Sequence, residues 1–152
     1  VRKFFIDRGG KMNIIYKENV LTADDFIMFQ RKMNWNEDSR ELIAKSLSNT
    51  VYSIVALKND EVIGMGRLVG DAAMYWYIQD VFILTQYQGK GIGTEIVKRL
   101  IDYVKINAVP DSGYSIYLFA AKGKESFYER LGFKNRPHEY EGAGMEIEGP
   151  VK

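Results

Sequence analysis

The chain has 152 residues, enough for one domain with a sizeable core, and its 46% hydrophobic and 13% aromatic content is that of a globular protein. Lysine plus arginine number 21 and aspartate plus glutamate 20, a net charge of +1 with no basic block, so no nucleic-acid partner is expected; no apolar run approaches the roughly 20 residues of a membrane helix, so no membrane partner is expected either. The absence of cysteine excludes disulfides, thiolate metal sites and a cysteine nucleophile, and a single histidine, His138, excludes any site that needs two, so no metal is expected and a cytoplasmic location fits.

Residues Val1 to Lys11 carry four basic residues and Gly9-Gly10, and Met12 follows at once. They are expected to be an extension ahead of a single domain over residues 12–152, the alternative being an extra strand through Phe4-Phe5-Ile6. Asn13 to Lys17 reads as a short strand. Thr22 resembles an N-cap with Asp24 and Asp25 in the first turn of a helix that runs to about Met33. Trp35-Asn36 interrupts the pattern, and Asp38 or Ser39 caps a second helix carrying Leu42, Ile43 and Leu47 on its apolar side. Trp35 either walls a binding site or packs on the rim of the core.

Val51 to Leu57 and Val62 to Val69 read as strands joined at Asn59-Asp60, a hairpin signal; Gly64 and Gly66 hint at a bulge. Met74 to Leu84 is a third strand with two largely apolar faces, Trp76, Ile78, Asp80, Phe82 and Leu84 on one and Tyr75, Tyr77, Gln79, Val81 and Ile83 on the other. A helix to about Asn107 follows, with Ile92, Ile96, Val97, Leu100, Ile101 and Val104 at helical spacing. Tyr114 to Ala120 is a strand, Glu125 to Leu131 a short helix ending at Gly132, Phe133 starts a strand that Arg136-Pro137 ends, and Met145 to Glu148 is a last short strand. The order predicts an α+β fold with a mixed sheet.

The informative stretch joins the third of these strands to its helix: Gln88-Gly89-Lys90-Gly91-Ile92-Gly93-Thr94. Glycines there permit a sharp turn and close approach of a ligand, and a helix starting in them presents unpaired N–H groups and a positive dipole end to an anion such as a pyrophosphate. The spacing is not that of a Walker loop, and the dinucleotide fingerprint fails because Thr94 or Ile96 stands where its third glycine is required. What holds is Gln88-x-x-Gly91-x-Gly93.

That spacing resembles the signature Gln/Arg-x-x-Gly-x-Gly/Ala of the GNAT superfamily of N-acyltransferases. A second stretch, Phe127-Tyr128-Glu129-Arg130-Leu131-Gly132-Phe133, resembles the family's tyrosine-bearing helix that ends in Gly-Phe. The two occur in the family's element order, and the resemblance extends over Met12 to Lys152. It implies a mostly antiparallel central sheet with about four helices, splayed between the fourth and fifth strands, and acetyl-CoA as co-substrate. The pantetheine arm would pair with the backbone of Val81, Phe82 and Ile83, and the pyrophosphate would lie over Gln88, Gly89, Lys90, Gly91, Ile92, Gly93 and Thr94.

The same resemblance makes Tyr128 the acid that protonates the departing thiolate, and Asp80, a carboxylate in an otherwise apolar strand, the base or water-holding residue. A strand N–H near Phe82 would stabilise the developing oxyanion. Many relatives have an asparagine seven residues ahead of the tyrosine; here it is Ala121, and Lys124 is the substitute contact for CoA. The Met33–Ser39 link and the Arg136–Gly144 loop, with Glu139 and Glu141 for a cationic group and Arg136 for an anionic one, would wall the acceptor site. The expected acceptor is a small primary amine (an amino sugar, polyamine or arylalkylamine), and a homodimer is a family-level expectation. The competing readings are a non-catalytic acyl-CoA sensor and a nucleotide-binding domain.

Overall fold

Most local signals are realised close to where the sequence places them. The computed structural model describes residues 13–149, so the expected extension over residues 1–11 lies outside the described residues. Helix α1 (Ala23–Lys32) starts in a capping box: Thr22 Oγ1 accepts from Asp25 N–H at 3.1 Å while Asp25 accepts from Thr22 N–H at 3.0 Å. Ser39 rather than Asp38 caps α2 (Arg40–Ser48), accepting from Leu42 N–H. Strands β2 (Tyr52–Lys58) and β3 (Glu61–Gly70) form a hairpin whose two turn residues, Asn59 and Asp60, both have positive φ, as a type I′ turn requires.

Strand β1 (Ile15–Glu18) pairs with β2, and β4 (Tyr75–Ile83) pairs with β3, all antiparallel. Strand β5 (Ser115–Tyr117) is parallel to β4, giving a five-stranded sheet in the order β1-β2-β3-β4-β5. Helix α3 (Ile92–Asn107) buries Ile96, Val97, Leu100 and Val104 against one face of the sheet; Phe26 and Phe29 of α1 and Ile43 of α2 are buried on the other. The fold is therefore α+β with a mostly antiparallel open sheet.

The chain divides into two compact units between Leu118 and Phe119. The second contains α4 (Glu125–Glu129), shorter than the expected Glu125–Leu131, and Gly132 follows it with φ of 97°. The two strands expected from Phe133 and over Met145–Glu148 do not form. Beyond α4 the described residues contain one isolated bridge, His138 to Glu141. Alternation supplies only half of a strand. The other half is a paired neighbour and a covered face, and Met145 and Ile147 are 91% and 98% exposed. The fifth strand is also shorter than the predicted Tyr114–Ala120, for a reason that shapes the site.

Candidate active site

Strand β4 carries a bulge that its sequence does not announce. Met65 pairs with Phe82 and Gly64 with Ile83, but Arg67 pairs with Gln79 and Leu68 with Ile78, so Asp80 and Val81 together oppose Gly66. Asp80 is the residue that takes up the slack, with φ of 53°. Holding a non-glycine residue there costs about 1–3 kcal/mol, which Asp and Asn bear better than most.

The extra residue reverses the alternation of side chains. Trp76 lies on the α3 face, edge-on to Tyr103, with its indole N–H satisfied by Ala73 C=O at 3.1 Å. Phe82 lies on the α1 face, within 6.1 Å of the rings of Phe26 and Phe29 and 4.7 Å from Trp35. The expected common face of Trp76, Ile78, Asp80 and Phe82 is thus corrected: a bulge shifts parity by one, and every residue beyond it changes sides. Trp35 packs edge-on against Phe82 yet remains half exposed. Its link is tied down by a two-bond Arg31–Glu37 pair and by Gln30, which donates to Asp38 at 2.7 Å.

Asp80 points to the α1 and α2 side, where Arg67 Nε donates to its Oδ2 at 2.5 Å; both side chains are largely buried. Arg67 also donates to Thr50 Oγ1 at 2.9 Å and to Ser46 C=O at 3.4 Å, and its guanidinium lies over the ring of Phe26. A buried arginine of this kind persists only because its donors are matched. Sequence reasoning did not find Arg67: it stands 13 residues before Asp80, and nothing local relates the two.

Strand β5 pairs with β4 only along Tyr75, Trp76 and Tyr77. From Ile78 to Ile83 that edge of β4 has no strand beside it among the described residues, so the two parallel strands diverge directly beside the bulge and the Val81–Ile83 backbone. The edge leads through one 3₁₀ turn, Thr85–Tyr87, into the glycine turn. Gln88 spends its own N–H on Thr85 C=O and its side-chain amide on Ile83 C=O at 3.0 Å, binding the turn to the end of β4.

Gly89 and Gly91 have φ of 72° and 81°, and a Cβ on either would meet nothing within 4 Å. They are needed for their backbone angles, and they leave open space over the turn. The first N–H of α3 that is bonded within the chain is that of Glu95, to Gly91 C=O; those of Ile92, Gly93 and Thr94 find no partner among the described residues. Lys90 and Lys58 both lie near the ring of Tyr87, at 5.5 and 5.2 Å from its centre. Lys58, at the end of β2, is a second cation beside this turn that the motif did not indicate.

In the second unit, Tyr128 sits in α4 between Phe127 and Phe133, with ring centres 4.8 and 5.9 Å away. Burial among these rings raises its hydroxyl above the usual phenol pKa, so the proton is firmly held. Lys124 is the residue before α4, and its N–H donates to Ala121 C=O. Glu141 lies 3.9 Å from Arg136 and 3.0 Å from His138, so two of the charges expected to recruit an acceptor, Glu141 and Arg136, face each other within their own loop.

The structure thus brings Asp80, Val81, Phe82, Ile83 and the Gln88–Thr94 turn into one continuous path in the first unit, and holds Tyr128 on α4 and Lys124 just before it in the second. An open strand edge leading to a free helix N-terminus suits an extended ligand with amide groups at one end and a phosphate at the other.

Comparison with known proteins agrees. Residues 49–135 match the model of the acetyltransferase (GNAT) domain. The chain is 30% identical over 112 residues to the uncharacterized N-acetyltransferase ycf52-like protein of Prochlorococcus marinus, covering 70% of this chain and 59% of that protein. It is 37% identical over 131 residues to the chloroplastic GCN5-related N-acetyltransferase 2 of Arabidopsis thaliana, covering 73% of this chain and 49% of that protein. The chain therefore spans about half to three-fifths of the length of these curated relatives. Among solved structures, a probable acetyltransferase from meticillin-resistant Staphylococcus aureus superposes with a TM-score of 0.78 at 26% identity, over 90% of this chain and all of that one. With its glycine turn, its bulged and splayed fourth strand and this family match over more than half its length, the chain belongs to the GNAT acetyltransferase family.

Proposed function

We propose that the protein transfers an acetyl group from acetyl-CoA to the primary amine of a small molecule, by direct attack while both are bound. The observation that carries this reading is the continuity of the unpaired β4 edge with the free N–H groups at the start of α3. Acetyl-CoA supplies the activated acyl group as a thioester. The backbone of Val81, Phe82 and Ile83 pairs with the amides of the pantetheine arm. The N–H groups from Gly89 to Thr94 receive the pyrophosphate, with Lys90 and Lys58 adding charge and Gln88 holding the turn in place.

Asp80 has one oxygen committed to Arg67; the other, Oδ1, accepts the proton that the acceptor amine gives up, directly or through a water. A backbone N–H beside Phe82 steadies negative charge developing on the acyl oxygen. Tyr128, its proton held by burial, donates to the departing thiolate, and Lys124 assists in binding CoA.

The test is incubation with acetyl-CoA and a panel of amino sugars, polyamines and arylalkylamines while free thiol is followed. Amine-dependent thiol release that is lost in Tyr128→Phe supports the reading. Tight CoA binding by calorimetry without turnover on any amine makes the protein a sensor instead. No CoA binding overturns both.

A further inference from the structure

We propose that Arg67 is a positioning residue of this site: by gripping Asp80 it holds the β4 bulge, and so sets which way the Val81–Ile83 backbone faces. The inference rests on the acetyl-transfer reading above and extends it to a residue outside the family's two motifs.

Arg67 is the meeting point of four pieces of the first unit. Its Nε takes Asp80 of β4; one terminal nitrogen takes Thr50 Oγ1, after α2, and Ser46 C=O, within α2; its flat face lies 5.8 Å from the ring centre of Phe26 in α1. A planar fork with fixed donor directions suits this arrangement in a way that a lysine does not. At the far end of the grip, Asp80 is the one β4 residue with positive φ. Without an anchor, β4 could pair with β3 in the unbulged register, and every residue beyond the slip would exchange faces. Phe82 would then leave its place against Phe26, Phe29 and Trp35, and the Val81–Ile83 edge would present the wrong backbone groups to a ligand.

The experiment compares Arg67→Met, Asp80→Asn and the double variant, with Arg67→Lys as the milder change that carries the same comparisons if Arg67→Met does not fold. Arg67→Met is expected to lower kcat/KM for acetyl-CoA by about 10- to 100-fold, through a lower kcat and a higher KM together, because a displaced Val81–Ile83 edge both misplaces the thioester and loses its hold on the pantetheine amides. In the Asp80→Asn background the same change is expected to cost less than about threefold more, since residues in one network do not add. NMR of the backbone at residue 80 is expected to lose its left-handed signature in Arg67→Met. Arg67→Lys should fall between wild type and Arg67→Met. Equal, independent losses in both backgrounds would overturn the proposal, as would a residue 80 that stays left-handed without Arg67. If the wild-type protein acetylates no amine, the functional reading fails by itself. The NMR comparison then decides alone whether Arg67 holds the bulge.

Discussion

A Cβ placed on Gly66 would stand 2.7 Å from Ile96 Cγ2 and 3.2 Å from Leu100 Cδ1, so α3 lies directly on the β3 backbone. Ile96 and Leu100 are fully buried, and a β-branched methyl in that setting has nowhere to turn. Gly66→Ala is therefore expected to destabilise the protein by about 1–3 kcal/mol, as overpacking does. Gly64→Ala should cost less, because the atom it meets at 2.7 Å is the terminal methyl of Ile83, which is not fully buried. Urea unfolding of the two variants side by side checks both the sign and the order.

Gly91 tests the turn rather than the core. Its φ is 81° and its Cβ direction is empty, so the whole effect of a substitution comes through the backbone. Gly91→Ala is expected to cost about 1–2 kcal/mol of stability and to weaken CoA binding, with Gly91→Asn milder because asparagine tolerates the left-handed region. Calorimetric titration with CoA and thermal unfolding measure the two effects. An alanine variant with unchanged affinity would show that the turn does not hold the pyrophosphate.

Tyr128→Phe removes a proton donor while keeping the ring that packs between Phe127 and Phe133. The expected loss in kcat is about 10²- to 10⁴-fold, with stability nearly unchanged. Burial raises this phenol above its ordinary value, so the donor form persists further into alkali. The alkaline fall in kcat assigned to Tyr128 should therefore lie above pH 10, the ordinary value for tyrosine. A pH–rate profile at saturating substrate reads both points.

Tyr16 on β1 makes a separate, alkaline prediction about stability. Burial, with the nearby charge of Glu95, pushes its hydroxyl up to about 12, even though the Arg99 guanidinium beside its ring pulls the other way. In the unfolded chain a tyrosine ionises near pH 10. Between those values the native state holds a proton that the unfolded state has lost, so stability falls as pH rises. The contribution is complete below pH 10 and declines up to about 12. Tyr16→Phe, which cannot ionise, should show a shallower loss of stability over that window in urea unfolding at fixed pH values.

The glycine turn, both capped N-termini of the first two helices and the Asn59-Asp60 hairpin were legible because each is specified within a few residues. The tyrosine helix was legible for the same reason. Asp80 was singled out as a carboxylate in an apolar strand, but not as a left-handed residue, because the only local hint of irregularity, Gly64 and Gly66, lies on the neighbouring strand. Lys58 was missed because its approach to Tyr87 depends on the hairpin folding back. The final strands were over-read: Met145 and Ile147 stand exposed, and neither stretch has a paired neighbour among the described residues.

By itself the sequence determined the pieces whose physics is local: the positive-φ positions of Gly89 and Gly91, the caps of α1 and α2, and the apolar stripe of α3. Those depend on steric limits and hydrogen bonds spanning three or four residues. Only the tertiary structure decided that β4 bulges at Asp80, that Arg67 grips it, and that β5 leaves β4 after Tyr77 to open an edge beside the Val81–Ile83 backbone. Strand parity is set by the ladder across the sheet, and an ion pair acquires its role only when burial removes the water that would otherwise compete for both partners.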